Sequence, residues 1–392
     1  MGRRGTMCRA MNRANTTLAS RTASTTSTTL CFATTLCIGL SLVACNKKQP
    51  TEEKPTAAAS ASAAEKEEGS AVDKMTLPTL GKMKIPEDNP QSDAKIKLGH
   101  QLFFDKRLSV DGSRSCYSCH QNEDGNGGHE PTAIGAKEKQ LTRHSPVIWN
   151  VGYLTRLYWD GRAGSLEAQA LGAWGGGNMG VGKDNLEAKA KEIAKIADYK
   201  KQFDEVFKDE GVTPDTIAKA ISAYERTLVC DDTAYDKYAK GDKKALNDAQ
   251  KRGLALFVGK AACTACHTPP HFSSAYMLKD GTYFNVGVGI EGKKEEDVDI
   301  GRKKVSEKDT DWAAFKVPTL RNVPNSAPYL HNGSKTKLED VVRFMAGGGF
   351  KNKNRSPLMS DKRLKDAEIA DIVAFLGALD CNGKLEEPKL PE

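Results

Sequence analysis

The chain has 392 residues, with 58 Lys and Arg against 51 Asp and Glu, and 39% of its residues are hydrophobic. That apolar fraction is too high for a wholly disordered protein, and a mean hydropathy of −0.54 is too low for a polytopic membrane protein. The formal charge of +7 would suggest an acidic partner such as nucleic acid, but most of it resides at the N-terminus.

Residues 1–44 carry Arg3, Arg4, Arg9, Arg13 and Arg21, no acidic residue, and an uncharged apolar run over residues 30–44. A basic flank before a short apolar core is the layout of an export signal, and this run is short of the ~20 residues a bilayer span needs. It ends Leu42-Val43-Ala44-Cys45, which resembles a bacterial lipobox. Residues 1–44 therefore read as a lipoprotein signal peptide, and Cys45 as a lipidated N-terminus holding a periplasmic protein on a membrane. Removing the five arginines lowers the net charge to +2, so no basic surface for nucleic acid remains. Residues 45–85 are rich in Lys, Glu, Ala, Ser, Thr and Pro, a composition that cannot bury enough apolar surface to order itself, and read as a disordered tether.

The remainder reads as mainly α. Thr213-Pro214 opens a helix with Ile217, Ile221, Tyr224 and Leu228 on one face, Thr213 as the cap and Pro214 in the first helical position. Ile369, Ile372, Val373, Leu376 and Leu379 repeat that spacing near the C-terminus. Strand patterns are scarce, residues 282–288 being the best candidate for a hairpin arm. Long glycine-rich stretches, residues 125–135 and 172–182, are expected to be functional loops. Gly99-His100-Gln101-Leu102-Phe103 and Gly253-Leu254-Ala255-Leu256-Phe257 form a faint internal repeat. It implies two tandem cytochrome c-like domains, 86–240 and 241–392.

Each repeat precedes a Cys-x-x-Cys-His motif: Cys116-Tyr117-Ser118-Cys119-His120 and Cys263-Thr264-Ala265-Cys266-His267. Two cysteines three apart can reach both vinyl groups of one haem, and the adjacent histidine is placed to coordinate its iron. A zinc site would bring its cysteine pairs within about 15–20 residues of each other, whereas Cys119 and Cys263 are 144 apart. The motifs imply two covalently bound haem c groups. With Cys45 lipidated, Cys230 and Cys381 remain, either as a disulfide or as two separate buried thiols. Gly287-Val288-Gly289-Ile290-Glu291-Gly292 fits a dinucleotide fingerprint, but a charged stretch rather than an apolar helix follows it.

The second axial ligands decide what each haem does. Candidates are His100, His129, His144, His271, His331 and a methionine. Four stretches resemble the bacterial di-haem cytochrome c peroxidases, a family related to the methylamine-utilisation di-haem oxidases. These are Leu102-Phe103-Phe104-Asp105-Lys106-Arg107-Leu108-Ser109, Tyr158-Trp159-Asp160-Gly161-Arg162-Ala163, Val317-Pro318-Thr319-Leu320-Arg321-Asn322-Val323 and Pro328-Tyr329-Leu330-His331-Asn332-Gly333-Ser334. The resemblance implies that the second haem accepts electrons through His267 and Met345, that Trp159 lies between the haems, and that the first haem binds peroxide. It implies reduction of hydrogen peroxide to water by electrons from a small periplasmic donor, a c-type cytochrome or a cupredoxin. A homodimer is compatible with this reading. The alternatives are a di-haem oxidase of another substrate and a non-enzymatic electron carrier or sensor.

The sequence departs from the family pattern at three places. The histidine that caps the first iron is replaced by Ala136. The proton-shuttling glutamate is replaced by Asn178, although its companion Gln169 is present. The family's interdomain calcium uses an asparagine, where this chain has His144, beside carbonyl donors matched by Ser326 and Pro328; imidazole is a poor ligand for a hard cation.

Overall fold

The computed structural model describes residues 72–392. The export segment, Cys45 and the tether as far as residue 71 lie outside the described residues. In chain order the principal elements are α1 (Asp93–Phe104), α2 (Leu166–Gly175), α3 (Leu186–Ile193), α4 (Ala197–Phe207), α5 (Pro214–Glu225), α6 (Ala234–Ala239), α7 (Asp248–Val258), β1 (Tyr283–Phe284), α8 (Lys303–Ser306), β2 (Phe315–Lys316), α9 (Leu338–Ala346) and α10 (Asp366–Gly377). Among the described residues no helix is long and apolar enough to cross a membrane.

Local chemistry sets the helix ends. The Ser92 hydroxyl accepts from the Lys95 amide to cap α1. Thr213 caps α5 reciprocally with Thr216, with Pro214 in the first turn where its missing N–H costs nothing. The apolar spacing read from the sequence then sets which face is buried. Ile217, Ile221 and Tyr224 of α5 meet Leu98, Leu102 and Phe103 of α1 in one core. Ile369, Ile372, Phe375 and Leu376 of α10 meet Leu254, Leu256 and Phe257 of α7 in the other.

The internal repeat has a packing reason. A Cβ on Gly99 of α1 would sit 1.8 Å from the Ala220 carbonyl oxygen of α5, and one on Gly253 of α7 would sit 1.9 Å from the Asp371 carbonyl oxygen of α10. Each unit thus crosses two helices at a point where only hydrogen fits, and the Leu-Phe pair that follows each glycine, Leu102-Phe103 and Leu256-Phe257, is buried in the same core. The chain is mainly α with two cytochrome c-like units in tandem.

Three sequence expectations change. Residues 72–85, assigned to the tether, lie against the second core: Val72 and Leu77 are buried, and Tyr238 donates to Asp73 and Tyr235 to the Pro78 carbonyl. The average composition of the segment concealed two apolar anchors. The C-terminal end, assigned to the second domain, crosses back onto the first core. Leu385 and Leu390 pack there, and Asn122, His100 and Gln101 bond the backbone of Leu385, Glu386 and Lys389. The strand expected over residues 282–288 shrinks to Tyr283–Phe284, which pairs antiparallel with distant Phe315–Lys316 rather than in a hairpin.

Cys230 and Cys381 form a disulfide with their Cα atoms 5.6 Å apart. It fastens the returning C-terminal segment to the end of the first unit. Cross-linking residues 151 apart in sequence restricts the unfolded chain, so the C230S/C381S variant is expected to lose about 2–4 kcal/mol of stability. Chemical denaturation measures this, and amide exchange should show faster opening over residues 381–391.

Candidate functional site

Both Cys-x-x-Cys-His motifs are built as tight single turns. In the first, the Cys119 amide donates to the Cys116 carbonyl at 3.1 Å and the His120 amide to Tyr117 at 3.0 Å. In the second, the His267 amide donates to the Cys263 carbonyl at 2.8 Å. All four cysteines are unpaired. Burial holds the thiols protonated, pushing Cys263 up to about 12 and Cys116 higher still. Among the described residues no three His, Cys, Asp or Glu side chains converge to hold a metal ion.

Each histidine is oriented through its far nitrogen. His120 Nδ1 meets the Asn126 carbonyl at 3.2 Å, and His267 Nδ1 meets the Phe272 carbonyl at 2.9 Å. A bond at Nδ1 assigns the proton there and leaves the Nε2 lone pair for iron. Burial pulls His120 down to about 4 and lowers His267 as well, so both rings are neutral donors.

The acceptors are themselves braced. Asn126 has a positive φ of 59°. It donates to the His120 carbonyl and to Asn122, and accepts from the Trp149 indole at 3.0 Å. Sequence reasoning missed Asn126; the available signal was its place in the glycine-rich loop directly after the motif. On the other side, residues 317–321 clamp the turn that carries Phe272. Ser273 donates to the Val317 carbonyl, Thr319 to the His271 carbonyl, and Arg321 Nε to the Pro270 carbonyl. Arg321 also forms two bonds to Asp236, at 2.7 and 2.8 Å. Burial alone would raise the Asp236 carboxylate; the Arg321 bonds hold it below its ordinary range.

One cavity of about 1530 Å³ is lined by His120 and by Cys263, Cys266 and His267. A single ligand pocket is ~300–1,000 Å³, so this space suits two large groups. Gln169 and Asn178 line it, as do Trp159, His144, His331 and Met345. The structure therefore gathers the proposed peroxide-side and electron-side residues along one cavity. Leu338, Val341, Val342 and Met345 of α9 all line it, so the apolar face of that helix turns toward the cavity and carries Met345 with it. His129 is not part of the lining: it is exposed and paired with Asp124 at 3.0 Å.

Trp159 is fixed at the seam between the two units. Its indole donates to the His144 carbonyl at 2.7 Å, its carbonyl accepts from the Lys316 amide at 2.7 Å, and its ring lies 6.3 Å from that of His331. The next residue, Asp160, is buried and held by Arg143 and Arg162.

Lys316 tests whether the space fits a haem. It is buried, lines the cavity, and its ammonium has no anionic partner among the described residues; burial brings it down to about 8. A buried cation without a counter-charge is costly, and a haem propionate would supply that charge. Unpaired cysteines, neutral histidines and an uncompensated cation together fit two haem c groups. They do not fit calcium. His144 Nδ1 is spent on the Glu130 carbonyl at 2.9 Å, and its imidazole replaces the oxygen donor a hard cation needs.

The two departures from the family pattern are neighbours. The Ala136 amide donates to the Asn178 carbonyl at 2.9 Å, and Ala136 is buried. A methyl group at the one position cannot ligate iron, and an amide at the other cannot exchange a proton near neutral pH.

Comparison with known proteins agrees with this geometry. The family described as di-haem cytochrome c peroxidase matches residues 93–244, and cytochrome c matches residues 250–380. The chain is 35% identical to cytochrome-c peroxidase IdrP1 of Pseudomonas sp. (strain SCT), over 80% of this chain and 89% of that protein. It is 30% identical to methylamine utilization protein MauG of Methylophilus methylotrophus, over 81% and 93%. A solved MauG-like protein associated with microbial copper homeostasis is 31% identical, with a TM-score of 0.72 over 80% of this chain and 97% of that one. With two Cys-x-x-Cys-His turns, whose His120, Cys263, Cys266 and His267 line one cavity, this chain belongs to the di-haem cytochrome c peroxidase family.

Proposed function

We propose that the protein is a cytochrome-c peroxidase that reduces hydrogen peroxide to two waters with electrons from a small periplasmic donor, a c-type cytochrome or a cupredoxin. The observation that supports this reading is that one cavity is lined by His120, His267, Gln169, Asn178, Trp159 and Met345. When bound, the haem pair supplies two one-electron carriers and an iron at which peroxide can bind.

The chain's own residues divide the remaining work. His120 and His267 would hold the two irons. Met345 would supply a thioether to the second, and thioether ligation favours a high potential suited to accepting electrons. Trp159, immobilised by three neighbours, spans the gap through which electrons move. The Gln169 amide orients peroxide, and the amide of Asn178 orients solvent that relays a proton. Consumption of peroxide follows H₂O₂ + 2 e⁻ + 2 H⁺ → 2 H₂O. Export by residues 1–44 and lipid on Cys45 would keep this chemistry in the periplasm, at a membrane surface.

A steady-state assay of the half-reduced holoprotein with reduced cytochrome should show peroxide-dependent oxidation, and paramagnetic resonance of the oxidised protein should count one high-spin and one low-spin iron. Because Ala136 and Asn178 depart from the family pattern, two other outcomes carry meaning. Weak turnover with one open iron would favour a di-haem oxidase of another substrate, and two six-coordinate irons without turnover an electron carrier. N178E is expected to raise kcat, by less than the ~10²–10⁴ of a lone general acid. Unchanged turnover would show that position 178 is not where protons pass.

A further inference from the structure

Glu225 is the last residue of α5, a poor place for an acid. The C-terminal end of a helix carries partial negative charge, which opposes a carboxylate there. The residue is buried, and its Oε2 has no hydrogen-bond partner. The neighbouring cation does not neutralise it, because Arg226 donates to Glu167 at 2.7 Å. Yet Glu225 lines the same cavity as His120, Gln169 and Asn178. The other acids of that wall differ. Asp160 and Asp299 are held by Arg143, and Glu296 and Asp297 are exposed.

We infer that Glu225 is the proton-donating carboxyl of the cavity, supplying what position 178 has lost. This inference rests on the peroxidase reading above. The charged and titratable groups around it are Arg226 and Glu167, which act on its charge, and the Cys116 thiol and the Tyr158 and Tyr224 phenols, which feel it. Tyr158 in turn donates to the Gln169 carbonyl at 3.0 Å, so the carboxyl and the peroxide-orienting residue share one stretch of wall. Burial, the dominant influence, pushes Glu225 up to about 8, with Arg226 opposing and Glu167 adding to the shift. It is thus a neutral acid at pH 7, with a proton affinity close to the working pH, where acid catalysis is most efficient.

The step balances as follows. The donor protein's two electrons cleave the O–O bond; Glu225 gives one proton to the departing oxygen and becomes a carboxylate. Solvent supplies the second proton and reprotonates Glu225.

The holoprotein and its E225Q and E225D variants test this. Infrared difference spectra of the wild type should show a protonated-carboxyl band that disappears as pH rises through about 8, and the band should be absent in E225Q. In steady state E225Q should lose about 10²-fold in kcat with KM for the reduced donor unchanged, and should lose the alkaline fall in activity. E225D should recover part of that loss, and N178E introduced into E225Q should restore turnover. A band that survives in E225Q, or a variant with wild-type kcat and pH profile, overturns the inference. A wild type that binds both haems but consumes no peroxide sinks the peroxidase reading and the donor role with it.

Discussion

Replacing Arg321 by methionine is expected to destabilise the second cytochrome unit by about 3–5 kcal/mol, the cost of stranding one member of a buried ion pair. The side chains of Arg321 and Asp236 are 0% and 1% exposed, so the orphaned carboxylate would have no water to turn to. The damage should extend beyond stability. Arg321 Nε also holds the Pro270 carbonyl, two residues from the carbonyl that orients His267. Chemical denaturation of R321M should show the loss. R321M/D236N should regain much of it, since removing both charges leaves no unpaired ion. If the double variant is no more stable than the single one, the pair is not the source of the effect. Haem content should follow stability in both proteins.

Met345→His should produce the largest functional change of any single substitution on the electron-accepting side. Axial ligands spread haem potentials over ~0.8 V, with thioether sulfur at the high end and imidazole lower. Imidazole is also a ligand for haem iron, so the protein should keep its fold and its haem. Its potential should fall by a large part of that range, and reduction by a high-potential donor should become unfavourable. Redox titration followed by optical spectra reads the shift directly, and donor-driven peroxide turnover should fall with it. An unmoved potential would show that Met345 is a packing residue of the apolar face of α9 and not a ligand. The opposing influence is small, because α9 already turns that whole apolar face to the cavity and needs no rearrangement to present sulfur or imidazole.

The two Cys-x-x-Cys-His turns were legible in the sequence because they are short-range features. Cys116, Cys119 and His120 occupy one turn, as do Cys263, Cys266 and His267, whereas spacing left the second ligands open. The paired helices were legible for a similar reason: the 3.6-residue periodicity of Ile217, Ile221 and Tyr224 and the cap at Thr213 are local properties. Gly99 and Gly253 signalled a repeat, though not what the glycines do; a bare Cα matters only once another helix backbone crosses it. Asn126 illustrates the limit. Its function depends on where the Trp149 indole and the His120 ring arrive, and nothing within its loop specifies either.

That the C-terminal segment packs on the first core and residues 72–85 on the second was not legible, because composition averages over a segment while packing acts on single residues such as Leu77 and Leu385. Glu225 was passed over as one more charged residue in a helix, since its burial follows from the meeting of α5 with the cavity wall. By itself, then, the sequence determined the two Cys-x-x-Cys-His turns, the helical periodicity and the family pattern, all of which act within a few residues. Tertiary structure decided that the C-terminal segment returns to the first core, through bonds such as Asn122 to Leu385 that span 263 residues, and that Glu225 stands buried beside the cavity. Those outcomes depend on desolvation and on where distant segments arrive, and no local pattern encodes either.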